Sequence, residues 1–320
     1  MDEARQALCE IVSTHGAGIA DEPRRLHNLL NDLCGEERKA IFVLSAAAQT
    51  RIAADLAAAQ RAGAVHVERA ARRLAAELGF AEDVARWAAE TWALALGATT
   101  GSQHTIVVAP DGRGEFSSMT QALRAAPPWS RIEVLPGTYR APLVVDRPVE
   151  IVAVGRPGEV IFEGDGTAGV RLTAEYALLR GVGLRSLAVD DGARTLFGVD
   201  VTQGELYLED CDVSGAELAC VAVRGRSASA TLRRCRVRHG RQAGVYVSLG
   251  GACGLSECEI AENGGAGVEI GWRGSPVLRR CRINGNGTYG IRIYAGGESQ
   301  LEECDLTGNR LGAWSVEESD

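Results

Sequence analysis

Five cysteines return at one place in a repeating unit: Cys211, Cys235, Cys258, Cys281 and Cys304. The intervals are 24, 23, 23 and 23 residues, and each cysteine sits in the same frame, L-x-x-C-x-[VIL]. A period in this range is the signature of a solenoid. The flanking residues alternate with a period of two and are rich in glycine, so the repeating element is a strand. A second short strand follows each cysteine, at Val221–Val223, Val245–Val247, Val268–Ile270 and Ile291–Ile293. Strand, turn, strand and turn within one period make one coil of a parallel β-helix. Coils stack about 4.8 Å apart, so every repeat position becomes a column along the cylinder.

One cysteine per coil in an apolar frame predicts a line of buried thiols, not the four converging ligands that zinc takes. No metal and no cofactor is expected. Neighbouring rungs lie within the separation that a disulfide spans. Nine cysteines without a signal peptide nevertheless predict reduced thiols and a cytoplasmic protein. No apolar run reaches the roughly 18 residues that a membrane span takes. A net charge of −8 without a large basic cluster argues against nucleic acid as a partner.

The chain reads as two domains of different class, α + β overall. Residues 1–97 are dominated by Ala, Leu, Arg and Glu, strong helix formers. Helices are predicted near 2–14, 22–34, 36–61, 64–78 and 81–96. Pro23 suits a first turn, and Gly35, Gly63, Gly79 and Gly97 fall at the stops. Leu74, Leu78, Trp87 and Trp92 are expected to share a core. Residues 98–104 lack periodicity and read as a linker. Residues 105–320 read as the solenoid, with an amphipathic stretch at Ser117–Ala126 placed to cap its raw strand edges.

The front of the second domain runs Val108-Ala109-Pro110-Asp111-Gly112-Arg113-Gly114-Glu115-Phe116, then Ala122-Leu123-Arg124-Ala125-Ala126-Pro127, then Pro136-Gly137-Thr138-Tyr139. This run resembles the front of pectin methylesterases and other proteins of the pectin-lyase-like superfamily. The resemblance covers residues 105–320 and implies a single-stranded, right-handed parallel β-helix of about nine coils. It implies no single activity, because the fold hosts lyases, hydrolases, epimerases and non-enzymatic binders. Residues 1–97 resemble an all-α module found at the front of bacterial multidomain proteins, which carries no activity over to this chain.

Outside the cysteine strand, Asp212, Arg236, Glu259, Arg282 and Asp305 are expected in one column. Asp210, Arg234, Glu257, Arg280 and Glu303 form its neighbour, and in both columns the signs alternate from coil to coil. Such alternation sets register, and it disfavours an acidic polysaccharide because neither sign dominates. Asn263, Asn286 and Asn309 repeat after the cysteine strand and are read as a turn-forming ladder, since Asn tolerates left-handed turns. Gly244, Gly267, Gly290 and Gly312 are read as one corner on successive coils.

The second strand carries a different outward column: Arg171, Asp200, Ala222, Tyr246, Glu269, Arg292 and Trp314. Tyr294 and Trp272 lie beside it. The coil spacing breaks once, where Val182 stands in the cysteine slot and extra residues at 188–196 bring Asp190, Asp191 and Arg194. Insertions in repeat arrays often line the binding face. A mixture of aromatics, Arg and acids is typical of recognition hot spots. The candidate ligand-binding set is therefore Tyr246, Glu269, Trp272, Arg292, Tyr294, Trp314, Asp190, Asp191 and Arg194.

Catalysis is harder to read. Asp200 and Glu269 are three rungs apart, roughly 14 Å, beyond the approximately 6.5–9.5 Å between the carboxylates of inverting glycosidases. The paired Asp and Gln motifs of pectin methylesterases do not follow the shared front end. His239 stands alone in a turn, and no Walker or Rossmann motif is present. The sequence thus points to a non-enzymatic recognition protein, with a protein or a carbohydrate as partner. The alternative is a carbohydrate-active enzyme (lyase, hydrolase or epimerase) with an unrecognised site. Oligomeric state is not legible.

Overall fold

A computed structural model describes residues 2–50, 52–58, 63–97, 104–140, 142–164, 169–186, 197–294 and 296–317. The chain divides into two compact units, Met1–Gln103 and His104–Asp320. Residues 98–103 of the expected linker lie outside the described residues.

The first unit holds helices Asp2–His15, Pro23–Cys34, Arg38–Gln49, Ile52–Ala58, Gly63–Leu78 and Glu82–Ala95, with a 3-10 turn at Ala17–Asp21. Pro23 is the first helical residue of its helix, where a missing N–H costs nothing. The single helix expected over 36–61 is two. The first ends at Gln49, and the Thr50 hydroxyl turns back to donate to the Ala47 carbonyl at 2.8 Å. Trp92 is fully buried, and its indole N–H donates to the Leu44 carbonyl at 3.2 Å. Leu74 joins the same core and Trp87 packs against it. Leu78 does not: it closes its helix just before the left-handed Gly79 and is 38% exposed.

The second unit is a right-handed parallel β-helix of three sheets. Sheet 1 has nine strands, from Thr105–Val108 to Gln300–Glu302. Sheet 2 has seven, from Gly137–Arg140 to Arg282–Asn284, and sheet 3 has eight, from Leu143–Val145 to Gly312–Glu317. Gly204–Glu209, Asp212–Ser214 and Ala219–Arg224 are the three strands of one coil. Each pairs in parallel with its counterpart one coil on. The short helix Met119–Ala125 buries Met119, Ala122 and Leu123 in the β-helix core, as a cap requires. Gly114 is forced at this end, because a Cβ there would lie 2.5 Å from the Val107 carbonyl oxygen.

The repeat frame marks the corner between sheets 1 and 2. Asp210, Arg234, Glu257, Arg280 and Glu303 occupy that corner with φ between 48° and 55°. These charged side chains sit in the left-handed region that usually favours Gly or Asn. The following cysteine turns inward. Cys211, Cys235, Cys258 and Cys281 are at most 2% exposed, while Cys304, on the last rung, is half-buried. Val182 takes the slot one coil earlier and is also buried. Thiols here donate to strand carbonyls; Cys235 Sγ lies 3.2 Å from the Leu208 oxygen and 3.3 Å from that of Arg233. All nine cysteines are free. Burial pushes the Cys235 thiol well up. At Cys258 and Cys281 the thiol one rung below is the larger cause, and both are raised.

This arrangement has a direct chemical consequence. Thiolate, not thiol, reacts with labelling reagents. A reagent must also reach the sulfur, so under native conditions the buried Cys211, Cys235, Cys258 and Cys281 should stay unlabelled while the half-buried Cys304 reacts. Equal, rapid labelling of all five, followed by mass spectrometry, would overturn the inward assignment.

The asparagine ladder is internal and is not itself the turn. The left-handed residues are those just before it: His239, Glu262, Gly285 and Gly308. Asn263 and Asn286 are at most 2% exposed. The Asn263 amide donates to Asn286 Oδ1 at 3.0 Å, and the Asn286 amide to Asn309 Oδ1 at 2.9 Å. Gly240 fills the slot one coil earlier and donates its N–H to Asn263 Oδ1 at 2.9 Å. Gly244, Gly267 and Gly290 do share a corner, where the chain passes this ladder. A Cβ on Gly267 would meet Ile283 Cγ2 at 2.3 Å. Gly312 does not belong with them, because it pairs with Tyr289.

Both charge columns are in register as read. Arg234 grips Asp210 at 2.7 and 2.8 Å, and Arg280 reaches Glu257 at 3.1 Å. In the other column Arg236 meets Glu259 at 3.8 Å, whereas Asp212 is taken by Arg238 at 2.7 Å. These pairs are exposed, so each contributes about 0–1 kcal/mol.

Candidate recognition face

Sheet 3 alternates buried valines and isoleucines with outward residues. Register places Val144, Arg171, Asp200, Ala222, Tyr246, Glu269, Arg292 and Ser315 in one outward column. Six of the seven residues expected there are in place. Trp314 is not. It pairs with Ile291, in the inward row, and is 66% exposed at the end of the core. Ser315 continues the outward column instead.

The charges of this face are matched within it. Asp200 is 9% exposed and accepts three hydrogen bonds from Arg224 at 2.9, 3.0 and 3.2 Å. Arg224 lies over the Phe197 ring, 4.5 Å from its centroid. Phe197 and Tyr246 are stacked, with planes 6° apart and centroids 6.5 Å apart. Two rungs on, Tyr294 lies beside Tyr246 and Glu269. Burial first, and then the neighbouring Tyr246 and Glu269, hold its phenol well above the ordinary tyrosine value, so it stays protonated. The Tyr294 ring lies over Gly271, where a Cβ would come within 3.3 Å of it. Arg292 donates to Glu317 at 2.7 and 3.0 Å, 5.9 Å from the Tyr294 ring centroid.

Tyr246, Glu269, Arg292 and Tyr294 are thus brought together. Trp272 follows the strand Val268–Ile270 in a turn and is 57% exposed. Asp190, Asp191 and Arg194 lie outside the described residues. Phe197, Arg224 and Glu317 belong to the face and were not read from the sequence. Arg224 was within reach, since it stands two residues past Ala222 and so points to the same side of the strand. His239 stands apart from the face, paired with Glu262 at 3.5 Å when protonated. Among the described residues, no three His, Cys, Asp or Glu side chains are grouped to hold a metal ion. No helix among them is long and apolar enough to cross a membrane.

A protein-family profile described as the right-handed beta helix region matches residues 188–320. No curated protein matches the sequence. Among solved structures, pectate lyase Pel9A is similar over 68% of this chain and 68% of its own, at 16% identity and a TM-score of 0.53. The carrot pectin methylesterase aligns over 69% of this chain and 90% of its own, at 14% identity and a TM-score of 0.45. The tailspike protein gp49 of Acinetobacter baumannii bacteriophage Fri1, a capsular polysaccharide depolymerase, aligns over 65% and 47%, at 11% identity and a TM-score of 0.42. The likeness to the pectate lyase is one of fold alone, a right-handed parallel β-helix.

Proposed function

We propose that sheet 3 is a recognition face, that the protein acts by binding, and that its ligand is an uncharged carbohydrate chain. The observation that carries this reading is the internal matching of charge. Asp200 is occupied by Arg224 and Glu317 by Arg292, Glu269 stands one rung from Arg292, and Arg171 adds a third cation, so three guanidinium groups face three carboxylates. The face therefore offers aromatic rings and satisfied polar groups, with no surplus of either sign. Sugar rings stack on such aromatic surfaces, and their hydroxyls take the lone pairs and N–H groups left over on carboxylate and guanidinium. A polyuronate would meet as many carboxylates as guanidinium groups on this face and gain no net attraction. The pectate lyase fold supports carbohydrate as the ligand class.

A general acid or base needs a carboxyl group aimed at the reacting bond. Here the carboxylates of the column serve neighbours on the same sheet, which supports binding over catalysis. The test is a panel of neutral and uronate polysaccharides, each scored for binding by calorimetry and for release of reducing ends or unsaturated products. Saturable binding to a neutral glycan without product is the expected result. Product release would make the protein an enzyme, and binding confined to uronates would overturn the charge argument.

A further inference from the structure

Ser248 stands two residues past Tyr246 on the same strand, so its side chain points to the same side of sheet 3. Register makes it a member of a second outward column, which runs Arg224, Ser248, Gly271, Tyr294 and Glu317. Arg224 and Tyr294 are half-buried and Glu317 is exposed. Ser248 is 2% exposed, and its Oγ has no hydrogen-bond partner among the described residues. A buried hydroxyl left without a partner is costly, and native proteins hold few of them.

The neighbours of Ser248 show how it is hidden. One rung before it is Arg224, whose guanidinium is committed to Asp200. One rung after it is Gly271, which has no side chain, and its N–H donates to the carbonyl of Val247. Tyr294 stands one rung further and leans back. Its Cε2 and Cζ atoms lie 3.2 and 3.3 Å from where a Gly271 Cβ would be, and it reaches Tyr246, on the strand of Ser248. The ring thus lies across the open side of Ser248. Tyrosine rings swing between staggered rotamers without moving the backbone. Turned off Gly271, this ring leaves a gap about one strand spacing (about 4.8 Å) wide. Glycine backbone floors the gap, and the Ser248 hydroxyl closes it.

We propose that this gap is a subsite for the hydroxymethyl group of a neutral hexose, and that Ser248 is the residue that reads it. The inference rests on sheet 3 being a carbohydrate face, and it names the sugar. The ring hydroxyls of a stacked sugar spread sideways over the aromatic surface. Its hydroxymethyl group turns about a single bond and drops below the ring, and it is narrow enough for a gap of this width. A serine hydroxyl both donates and accepts, so it meets an incoming hydroxyl in either sense. A pentose has no such group. A uronate has a carboxylate in its place, and would set it beside an Arg224 already held by Asp200.

The test is calorimetry with cellohexaose, maltohexaose, mannohexaose and xylohexaose on the full chain and on its Ser248→Ala variant. Xylohexaose repeats the backbone of cellohexaose without the hydroxymethyl groups. At least one hexose oligomer should bind about tenfold more tightly than xylohexaose, the value of one buried hydroxyl gaining its partner. Ser248→Ala should remove that preference by weakening the hexose oligomer alone. Its melting temperature should not fall, because the hydroxyl makes no bond in the free protein. Xylohexaose bound as tightly as the best hexose oligomer overturns the subsite and spares the face. A preference that survives in Ser248→Ala overturns the role of Ser248, and so does a clear loss of stability, because the hydroxyl then already has a partner. No binding by any of the four overturns the subsite, and no binding across the whole neutral panel overturns the face with it.

Discussion

Asn286→Leu should lower the stability of the β-helix by about 3–5 kcal/mol, although leucine has the same number and branching of side-chain heavy atoms. Asn286 Oδ1 accepts from the Asn263 backbone N–H at 3.2 Å and from its side-chain amide at 3.0 Å. Asn286 Nδ2 donates to the Ile260 carbonyl at 3.1 Å. The substitution therefore strands two donors and takes a donor from three acceptors, the Ile260 and Asn284 carbonyls and Asn309 Oδ1, in a buried site. Each buried group left unmade costs about 1–3 kcal/mol, far more than the roughly 1 kcal/mol net value of an ordinary hydrogen bond. Asn309→Leu is the control. Asn309 is half-buried on the last rung, so water replaces much of what is lost, and the expected cost is about 1 kcal/mol. Urea denaturation followed by the β-sheet signal, with unchanged slope, reads both. Equal losses at the two positions would mean that the ladder is not the buried network described above.

The second large effect concerns ligand affinity. Tyr246→Ala combined with Arg292→Ala should weaken binding of a neutral glycan by about 30-fold or more, the ordinary consequence of truncating two anchors at a recognition surface. Tyr246 contributes the ring stacked beside Phe197, and Arg292 the guanidinium held by Glu317. Stability should change little, because the Arg292–Glu317 pair is exposed on both sides and contributes about 0–1 kcal/mol. Arg236→Glu with Glu259→Arg reverses a comparable pair on sheet 2 and should leave affinity unchanged. Calorimetric titration of the three proteins separates the outcomes. Retained affinity in the alanine variant would remove sheet 3 from the account, and loss in the swapped variant would point to sheet 2.

The repeat was legible because burial imposes it. A one-residue slip turns a core residue into solvent, so the leucine and cysteine frame has to recur coil after coil. It did so clearly enough to give the coil period, most of the column membership and the inward thiols; it did not give the sheet count, because each coil was read as two strands and has three. The same physics explains the failure at Trp314. Gly312 looked like the continuation of Gly244, Gly267 and Gly290, but it stands 22 residues past Gly290, and the structural register there is 23. Trusting that glycine shifted the last rung by one residue and moved Trp314 to the wrong face. Asn263 and its companions were recognised as a ladder but assigned to the turn, because the left-handed positions hold residues as unlike as His239 and Glu262. A backbone held by its neighbours on adjacent coils imposes such φ values on side chains that would not choose them.

The recognition face was legible in part. Tyr246, Glu269 and Arg292 follow from period two and the coil spacing. Arg224 was within reach of the same rule and Phe197 was not, and the role of both depends on a cross-rung packing of guanidinium, ring and carboxylate around Asp200. No column rule predicts that. It is also the packing that neutralises the face, and so the feature on which the choice of ligand turns.

The most direct measurement is hydrogen exchange on the full chain with and without a saturating neutral glycan from the binding panel. Slowing confined to Ala243–Ser248, Val268–Ile270 and Tyr289–Tyr294, the central strands of sheet 3, is the predicted result. Slowing over sheet 1, over sheet 2 or within the helical unit, with these three strands unchanged, would contradict the assignment of sheet 3 as the recognition face.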